Sequence, residues 1–134
     1  ADALAARHAA TRARLEGRAP VRVFCPIWRK PYMTLNGDTY VHDMLATCGG
    51  VNVFADAASR YPQVTLDEVA ARTPEVLLLP DEPYRFRPAH VEDFAPYPAL
   101  RGTRVRFVDG KLLSWYGPRI GEALETLPGL LAGS

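Results

Sequence analysis

Thr73-Pro74-Glu75-Val76-Leu77-Leu78-Leu79 is the stretch that decides the fold, because its last four residues form a continuous apolar run. Such a run is typical of a central strand in a parallel sheet, where both faces of the strand are covered. Val21 to Ile27 and Arg104 to Val108 also predict strands, and the turn at Asp109-Gly110 ends the second of these. These segments predict the framework of one sheet.

Between the predicted strands, apolar residues recur at helical spacing. Asp38 or Thr39 can cap the first such helix, and Gly49-Gly50 ends it. Its inward stripe follows the spacing i, i+3, i+4, i+7 and consists of Val41, Met44, Leu45 and Cys48. Trp28 to Gly37, before this helix, is predicted to be a loop, and Val51 to Phe54, after it, a short extended piece.

The next predicted helix begins at a capping box, in which the hydroxyl of Thr65 is followed three residues later by the carboxylate of Glu68. Val69 and its apolar neighbours are expected to face inward, and the helix ends before Pro74. A long loop is then predicted through Arg87, followed by one or two helical turns at His90 to Phe94.

The two ends of the chain are predicted to be helices, Ala1 to about Glu16 and the segment from Pro118 onward. The first has no capping residue and no signal peptide before it, so we expect the chain to begin within an element of a longer protein. Strands that alternate with helices predict a three-layer, Rossmann-like α/β lobe. Its mainly parallel sheet is expected to be covered by helices on both faces.

The composition is that of an ordinary globular domain, with 48% hydrophobic and 23% charged residues among 134. The net charge of +1 gives no electrostatic signature of nucleic-acid binding or of a membrane surface. No apolar run approaches the ~20 residues of a membrane span. Cys25 and Cys48 fall at positions predicted to be core, which favours buried thiols over a disulfide.

Aromatic residues cluster in the loops near the ends of the predicted strands. Ligands bind beyond the carboxyl ends of the strands in open α/β sheets, so these loops form the expected ligand-binding rim. The residues placed there are Trp28, Arg29, Tyr32 and Met33 after the first strand, Glu82, Tyr84 and Phe86 after the central strand, and Trp115 and Tyr116 after the last strand, and Tyr61 could reach the same rim. Large rings on exposed loops form a flat apolar wall that suits a bulky, planar or conjugated ligand. The alternative is that these rings only cover the core beneath long loops.

The sequence contains no pattern typical of catalysis or of a metal site. His8, His42 and His90 fall in separate helical segments, and none has a His or Cys partner at ligand spacing. No glycine-rich phosphate loop or nucleophile elbow is present, and Cys25 has no histidine near it in the sequence. We therefore predict a binding protein that is not an enzyme and that has no cofactor of its own.

Several blocks of the sequence resemble the C-terminal lobe of class III periplasmic binding proteins, which capture cobalamin, ferric siderophores or haem for ABC importers. The blocks are IWRKPYM (27–33), GDTY (37–40), LATCGGVNVF (45–54), RYPQVTLDEV (60–69), TPEVLLL (73–79) and WYGPR (115–119). The resemblance extends from about Val21 to Leu131. Its most specific parts are the GGVNVF and YPQVT segments taken together.

The resemblance implies two α/β lobes joined by one long helix, with the ligand in the cleft between them. Residues 1–18 are then expected to be the end of the connecting helix and residues 19–134 the C-terminal lobe, while the N-terminal lobe is missing from this chain. The family's cobalamin receptor pairs a cysteine before its GG with one near its C-terminus. Cys48 matches the first of these, but no cysteine follows it here, so that bridge is not expected.

The resemblance also implies contact residues. Together with Tyr32 from the same loop, the positions implied to contact the ligand are Trp28, Met33, Tyr61, Trp115, Tyr116 and, as a polar anchor, Arg119. In the family, an acid on the outer surface of each lobe pairs with arginines of the membrane permease. Asp67, in the first turn of the capping-box helix, matches that acid, and Glu82 is its rival. A role of Asp67 in helix stabilisation alone is the alternative.

The expected function is that of the substrate-binding component of an ABC import system, located in the periplasm or anchored outside the membrane. Cobalamin is preferred as the ligand. A ferric siderophore or a haem-type chelate stays open, because siderophores often need cationic contacts that Arg29, Arg85, Arg87 and Arg119 could supply. The alternative function is that of a Rossmann-like regulatory or interaction module that binds no small ligand.

Overall fold

The computed structural model describes residues 20–39, 42, 45–46, 48–81 and 84–109. The helices predicted at the two ends of the chain lie outside these ranges. Val41 and Met44 of the predicted apolar stripe lie outside them as well.

Four parallel strands form the main sheet. They are β1 (Val21–Phe24), β3 (Gly50–Asn52), β5 (Val76–Pro80) and β6 (Arg104–Val108), in the spatial order β3-β1-β5-β6. β5 pairs with β1 on one side and with β6 on the other, and all five of its residues are buried. The prediction of a central strand covered on both faces is confirmed, and so is the α/β class with a mainly parallel sheet.

β1 ends at Phe24 rather than at the predicted Ile27. Pro26 follows closely, and a proline has no backbone N–H to donate to a neighbouring strand. The strand is therefore shorter than the apolar segment. Apolar residues indicate which positions are buried, whereas Pro26 limits how far β1 can pair with its neighbours.

A small antiparallel sheet lies partly in the segment predicted to be a loop. In it, β2 (Tyr32–Met33) pairs with β4 (Gln63–Val64), and an isolated antiparallel bridge joins Trp28 to Met33. We call β2, β4 and Trp28 the ribbon. The loop prediction was wrong for β2, since pairing between distant segments leaves no periodic signal within such short strands.

The helix predicted after this segment is capped by Thr39, whose hydroxyl accepts a hydrogen bond from the N–H of His42 at 3.2 Å. His42 has helical backbone, and Leu45 and Cys48 of the predicted stripe are buried. Asp38, the other candidate cap, makes an ion pair on the surface instead.

α1 (Leu66–Ala71) begins at the predicted capping box. The side chain of Thr65 accepts from the N–H of Glu68 at 3.1 Å, and the carboxylate of Glu68 accepts from the N–H of Thr65 at 3.0 Å. Val69 is fully buried, and the helix ends before Pro74. The bounds and the inward face agree with the prediction, because the capping signal is local.

Two 3-10 helices, Pro88–Phe94 and Pro98–Leu100, lie between β5 and β6. The first confirms the predicted turns at His90 to Phe94, and the second was not predicted. Phe94 and Leu100 are buried, so each of the two contributes a side chain to the core. None of the helices within the described ranges has the length and apolar character needed to cross a membrane.

Buried polar side chains tie the two residues that follow β2, and through them the ribbon, to the parallel sheet. Asn52, at the end of β3, donates a hydrogen bond to the carbonyl oxygen of Leu35 at 2.7 Å. The hydroxyl of Thr34 donates to the carbonyl oxygen of Cys25, also at 2.7 Å. Thr34 and Asn52 are both buried, where a polar group left unpaired is costly, so these bonds fix the ribbon in one position.

Cys25 and Cys48 are both buried thiols, as predicted. Burial raises the pKa of the Cys25 thiol to about 12. The thiol therefore stays protonated at neutral pH, and the residue packs as a small apolar side chain.

Candidate functional site

The strand order places a topological switch point, where open α/β sheets have a ligand-binding crevice, at the carboxyl ends of β1 and β5. These strands are neighbours, but the chain continues from β1 to β3 on one side and from β5 to β6 on the other. The segments that follow the two strands therefore diverge, and open α/β sheets bind ligands at such a switch point. Trp28 follows β1 and Tyr84 follows β5, so the chain brings an aromatic side chain to each side of the crevice.

The two segments meet in a group of rings that we call the aromatic cluster. Its members are Trp28, Tyr32, Tyr84, Phe86, His90 and Phe94. Trp28 and Tyr84 meet edge to face with ring centroids 5.3 Å apart, and the centroids of Tyr84 and Phe86 are 4.9 Å apart. Phe86 is 4% exposed, whereas Trp28 is 43% exposed. The cluster thus extends from the core to the surface, where the exposed Trp28 and the half-buried Tyr84 form an apolar face.

The ribbon explains why Trp28 faces outward. Residues directly opposite each other in antiparallel strands project to the same side, and adjacent residues project to opposite sides. Trp28 is opposite Met33, which is opposite Gln63, and these three side chains are exposed or half-buried. Tyr32 and its partner Val64 project to the other side and are buried. The outer side of the ribbon is therefore the one that a ligand can reach.

Tyr32 lies beneath the exposed face rather than on it. It is 8% exposed, and its ring stacks on Phe86 with centroids 6.2 Å apart. Its hydroxyl donates a hydrogen bond to Oδ2 of Asp93 at 2.7 Å. Tyr32 therefore has the position of a residue that supports Trp28 from the buried side, and its contact with a ligand stays a prediction.

Asp93 joins the cluster to the loop that carries Trp28. Its Oδ2 and Oδ1 accept hydrogen bonds from Nε and Nη2 of Arg29 at 2.6 and 3.0 Å. Such a two-point pair between planar groups fixes both side chains. Arg29 is the residue next to Trp28, so this pair holds the backbone on which Trp28 is carried.

Asp93 and Tyr32 each keep one protonation state at neutral pH. The hydrogen bond from Arg29 lowers the pKa of Asp93 below the ordinary carboxyl value. Burial raises the pKa of Tyr32, and the hydrogen bond to Asp93 raises it further. The carboxylate therefore stays ionised and the phenol stays neutral, which preserves the three-residue contact.

Tyr61 is 51% exposed and lies just before β4. The residues on either side of it bond to the loop of Trp28: Thr34 N–H donates to the carbonyl oxygen of Pro62 at 3.1 Å, and Asn36 N–H donates to that of Arg60 at 2.9 Å. Trp28 and Tyr61 therefore both lie at exposed positions along the same antiparallel arrangement.

The remaining predicted site residues differ in what the structure says of them. Met33 is half-buried on the outer side of the ribbon, and Asp67 is exposed in the first turn of α1. Trp115, Tyr116, Arg119 and Glu82 lie outside the described residues.

Sequence reasoning left Tyr84 and His90 of the aromatic cluster, and Asp93, out of the predicted site. Tyr84 was noted after the central strand but was not chosen, although an aromatic residue after a parallel strand is a usable signal. His90 was considered only as a metal ligand, and Asp93 was not considered. The Arg29–Asp93 pair joins positions 64 residues apart, and no local pattern in the sequence indicates such a contact.

The site has the features of a binding surface. The described residues contain no group of three or more His, Cys, Asp or Glu side chains placed to hold a metal ion. Its parts are the exposed ring of Trp28, the half-buried ring of Tyr84 and the Arg29–Asp93 ion pair beside them. Such a combination suits a ligand with a large flat surface and a few polar groups.

Comparison with known proteins gives a consistent result. No family model matches the chain. The vitamin B12-binding protein of Salmonella choleraesuis is 38% identical over 79 residues, which are 59% of this chain and 30% of that protein. The vitamin B12-binding protein of Vibrio parahaemolyticus is 40% identical over 68 residues, 51% of this chain and 25% of that protein.

The solved structures that match have the same fold. The periplasmic vitamin B12-binding protein BtuF of Vibrio cholerae superposes with a TM-score of 0.77 at 24% identity, over 96% of this chain and 50% of that one. The periplasmic heme-binding protein RhuT of Roseiflexus sp. RS-1 superposes with a TM-score of 0.70 at 27% identity, over 97% and 54%. The chain spans less than a third of the length of these curated relatives and about half of the solved chains.

Proposed function

We propose that the chain is part of a class III substrate-binding protein, the ligand-binding component of an ABC import system, because over part of its length it is similar to vitamin B12-binding and heme-binding proteins. Its ligand is cobalamin or an iron chelate of the siderophore or haem type, which it delivers to a membrane permease. The observation that supports this most strongly is the Trp28–Tyr84 face at the switch point of the sheet, in which Trp28 is exposed and Tyr84 is half-buried.

The geometry of the face fits the proposed ligands. Corrins and haems present a conjugated ring of large area, and aromatic side chains bind such surfaces by stacking and by edge contacts. The Arg29 guanidinium is already paired with Asp93, so it is not available as a cationic contact for a siderophore. That role falls to Arg85 and Arg87, which are exposed beside the cluster.

In this proposal, residues 19–134 form the C-terminal lobe of the protein, and residues 1–18 are the end of the helix that connects its two lobes. The matched structures are about twice as long as this chain, which is consistent with one lobe of two. A second lobe of the family then supplies the opposite wall of the cleft. The site of action is the periplasm or the outer face of the membrane.

Asp67 is the proposed docking residue for the permease, with Glu82 as the second candidate. Asp67 is exposed, whereas the neighbouring Glu68 is engaged in the capping box. Exposed charges of this kind set the orientation and the rate of docking more than its affinity.

A titration followed by tryptophan fluorescence tests the proposed function. The 134-residue chain has two tryptophans, and cyanocobalamin, haemin and a ferric hydroxamate are the probes. We expect at least one probe to quench the emission in a saturable way, since Trp28 lies in the proposed contact surface. N-acetyltryptophanamide under the same additions corrects for light absorbed by the probes. A response no greater than that of this control, with all three probes, would contradict the proposal.

A further inference from the structure

His90 is held at the crevice by ring contacts and by one hydrogen bond. Its ring centroid lies 5.6 Å from that of Tyr84 and 6.1 Å from that of Phe86. Its Nδ1 accepts a hydrogen bond from the backbone N–H of Arg87 at 3.0 Å. Together these contacts fix both the position and the rotation of the imidazole.

The bond from Arg87 determines which nitrogen carries the proton. A backbone amide always keeps its hydrogen, so Nδ1 must provide a lone pair. In a neutral imidazole the proton then lies on Nε2, which becomes a hydrogen-bond donor. Within the part of the chain that the structure describes, the bond from Arg87 is the hydrogen bond found for the His90 ring, and it leaves Nε2–H as the ring's donor for another acceptor.

The same bond opposes metal coordination by His90. A histidine that binds a metal uses its unprotonated nitrogen, and its other nitrogen usually donates its proton to an acceptor. If Nε2 of a neutral His90 coordinated a metal, the ring proton would lie on Nδ1. This proton would then point at the backbone N–H of Arg87. Two donors would then face each other, and an existing hydrogen bond would be lost.

The surrounding charges favour the neutral ring. Burial lowers the pKa of His90, and the charges of Arg29, Arg87 and Lys30 lower it further. Asp93 acts in the opposite direction, but it is neutralised by its pair with Arg29. The uncharged tautomer is therefore the form present at neutral pH.

We propose that His90 donates its Nε2–H to a carbonyl-type oxygen at the edge of the ligand, that of an amide or a carboxylate, and does not coordinate the ligand's metal. The inference rests on the proposed function and specifies its chemistry. In this arrangement the ligand's ring would lie on the Trp28–Tyr84 face, and its peripheral oxygen would meet His90, whose ring contacts that of Tyr84.

The tautomer can be measured without any ligand. Long-range ¹H–¹⁵N correlation spectra of the full chain, labelled at histidine nitrogen and recorded at pH 7, distinguish the two neutral tautomers and the imidazolium. The His90→Gln spectrum assigns the signal. We expect the Nε2–H pattern for His90, and an Nδ1–H or imidazolium pattern overturns the inference.

The recognition step is tested with aquocobalamin, haemin and a ferric hydroxamate, whichever binds the unmodified chain. His90→Phe keeps an aromatic ring but has no donor, and we expect it to bind about three- to tenfold more weakly, as for the loss of one neutral hydrogen bond. His90→Gln keeps an N–H donor and is expected to bind more tightly than His90→Phe. The visible spectrum of the bound probe is expected to show that no nitrogen atom of the protein has become an axial ligand of the metal.

The outcomes separate the inference from the proposed function. Unchanged affinity of His90→Phe, or a nitrogen-ligated spectrum that disappears in this variant, overturns the inference while the proposed function stands. Failure of every probe to bind the unmodified chain overturns the proposed function, and with it the recognition step that rests on it.

Discussion

The Arg29–Asp93–Tyr32 contact is the residue-scale feature on which the site geometry depends. The side chains of Arg29 and Asp93 are only 16% and 24% exposed, so their pair is shielded from solvent far more than an ordinary surface ion pair. Asp93 also accepts the hydroxyl of Tyr32, which links the pair to the aromatic cluster. One carboxylate therefore joins the loop of Trp28 to the rings beneath it.

Replacing Asp93 by Asn is expected to lower the free energy of unfolding by about 1–3 kcal/mol at pH 7, as for hydrogen bonds to a charged group. Because the pKa of Asp93 is lowered on folding, its contribution is present above its unfolded pKa of about 3.9 and is lost as the pH falls through the folded value. The difference between the two proteins should therefore shrink below about pH 4. Urea unfolding between pH 3 and pH 7 measures it.

Asp56→Asn provides the matched control for this prediction. Asp56 also pairs with an arginine, Arg72, but its side chain is 74% exposed. We expect a smaller loss of stability than for Asp93→Asn, since solvent screens exposed pairs. Equal losses of stability in the two variants would mean that the Arg29–Asp93 pair stabilises the fold no more than an exposed ion pair does.

At the scale of elements, the parts of the fold that could be predicted are those with local signals. The apolar run of β5 and the capping box of α1 are each contained within a few residues, and both were identified with nearly correct bounds. β2 and β4 have two residues each, too few for any periodicity to be visible. Their pairing, and with it the outward direction of Trp28, depends on contacts that only the folded chain makes.

The candidate site could be predicted only in outline for the same reason. The rule that ligands bind beyond the carboxyl ends of parallel strands led to Trp28 and Tyr61, which are exposed in the structure. That rule does not say which rings of a loop point inward. Tyr32 was therefore grouped with the contact residues, although β-strand alternation places it on the buried side.

The capping box of α1 gives the prediction at this scale. Thr65→Ala removes the hydroxyl that accepts the N–H of Glu68 and is expected to cost about 0.5–2 kcal/mol. Asp67→Asn, in the same helical turn, is expected to change stability by less than about 0.5 kcal/mol, since exposed substitutions away from such contacts usually do. Chemical denaturation of both variants measures the difference. A loss for Asp67→Asn as large as that for Thr65→Ala would indicate a helix-stabilising residue rather than a docking residue.

At the scale of the whole molecule, the strand order is what turns separate rings into one site. The segments after β1 and β5 come together only because the chain crosses from one side of β1 to the other. The apolar face formed there lies on a rigid base, since the ribbon is bonded to the sheet through Asn52 and Thr34. A preformed surface of this kind loses little conformational freedom when a ligand binds.

The central claim is that the Trp28–Tyr84 face binds the ligand, and calorimetric titration of two variants tests it most directly. Trp28→Ala removes the outer ring of the cluster, whereas Phe107→Ala removes a ring that is equally exposed, at 43%, but lies on β6. With whichever of cyanocobalamin, haemin or a ferric hydroxamate binds the chain, we expect Trp28→Ala to weaken binding about tenfold or more, as for a central aromatic contact. Phe107→Ala is expected to leave the affinity unchanged, and equal affinities of the two variants would contradict the account.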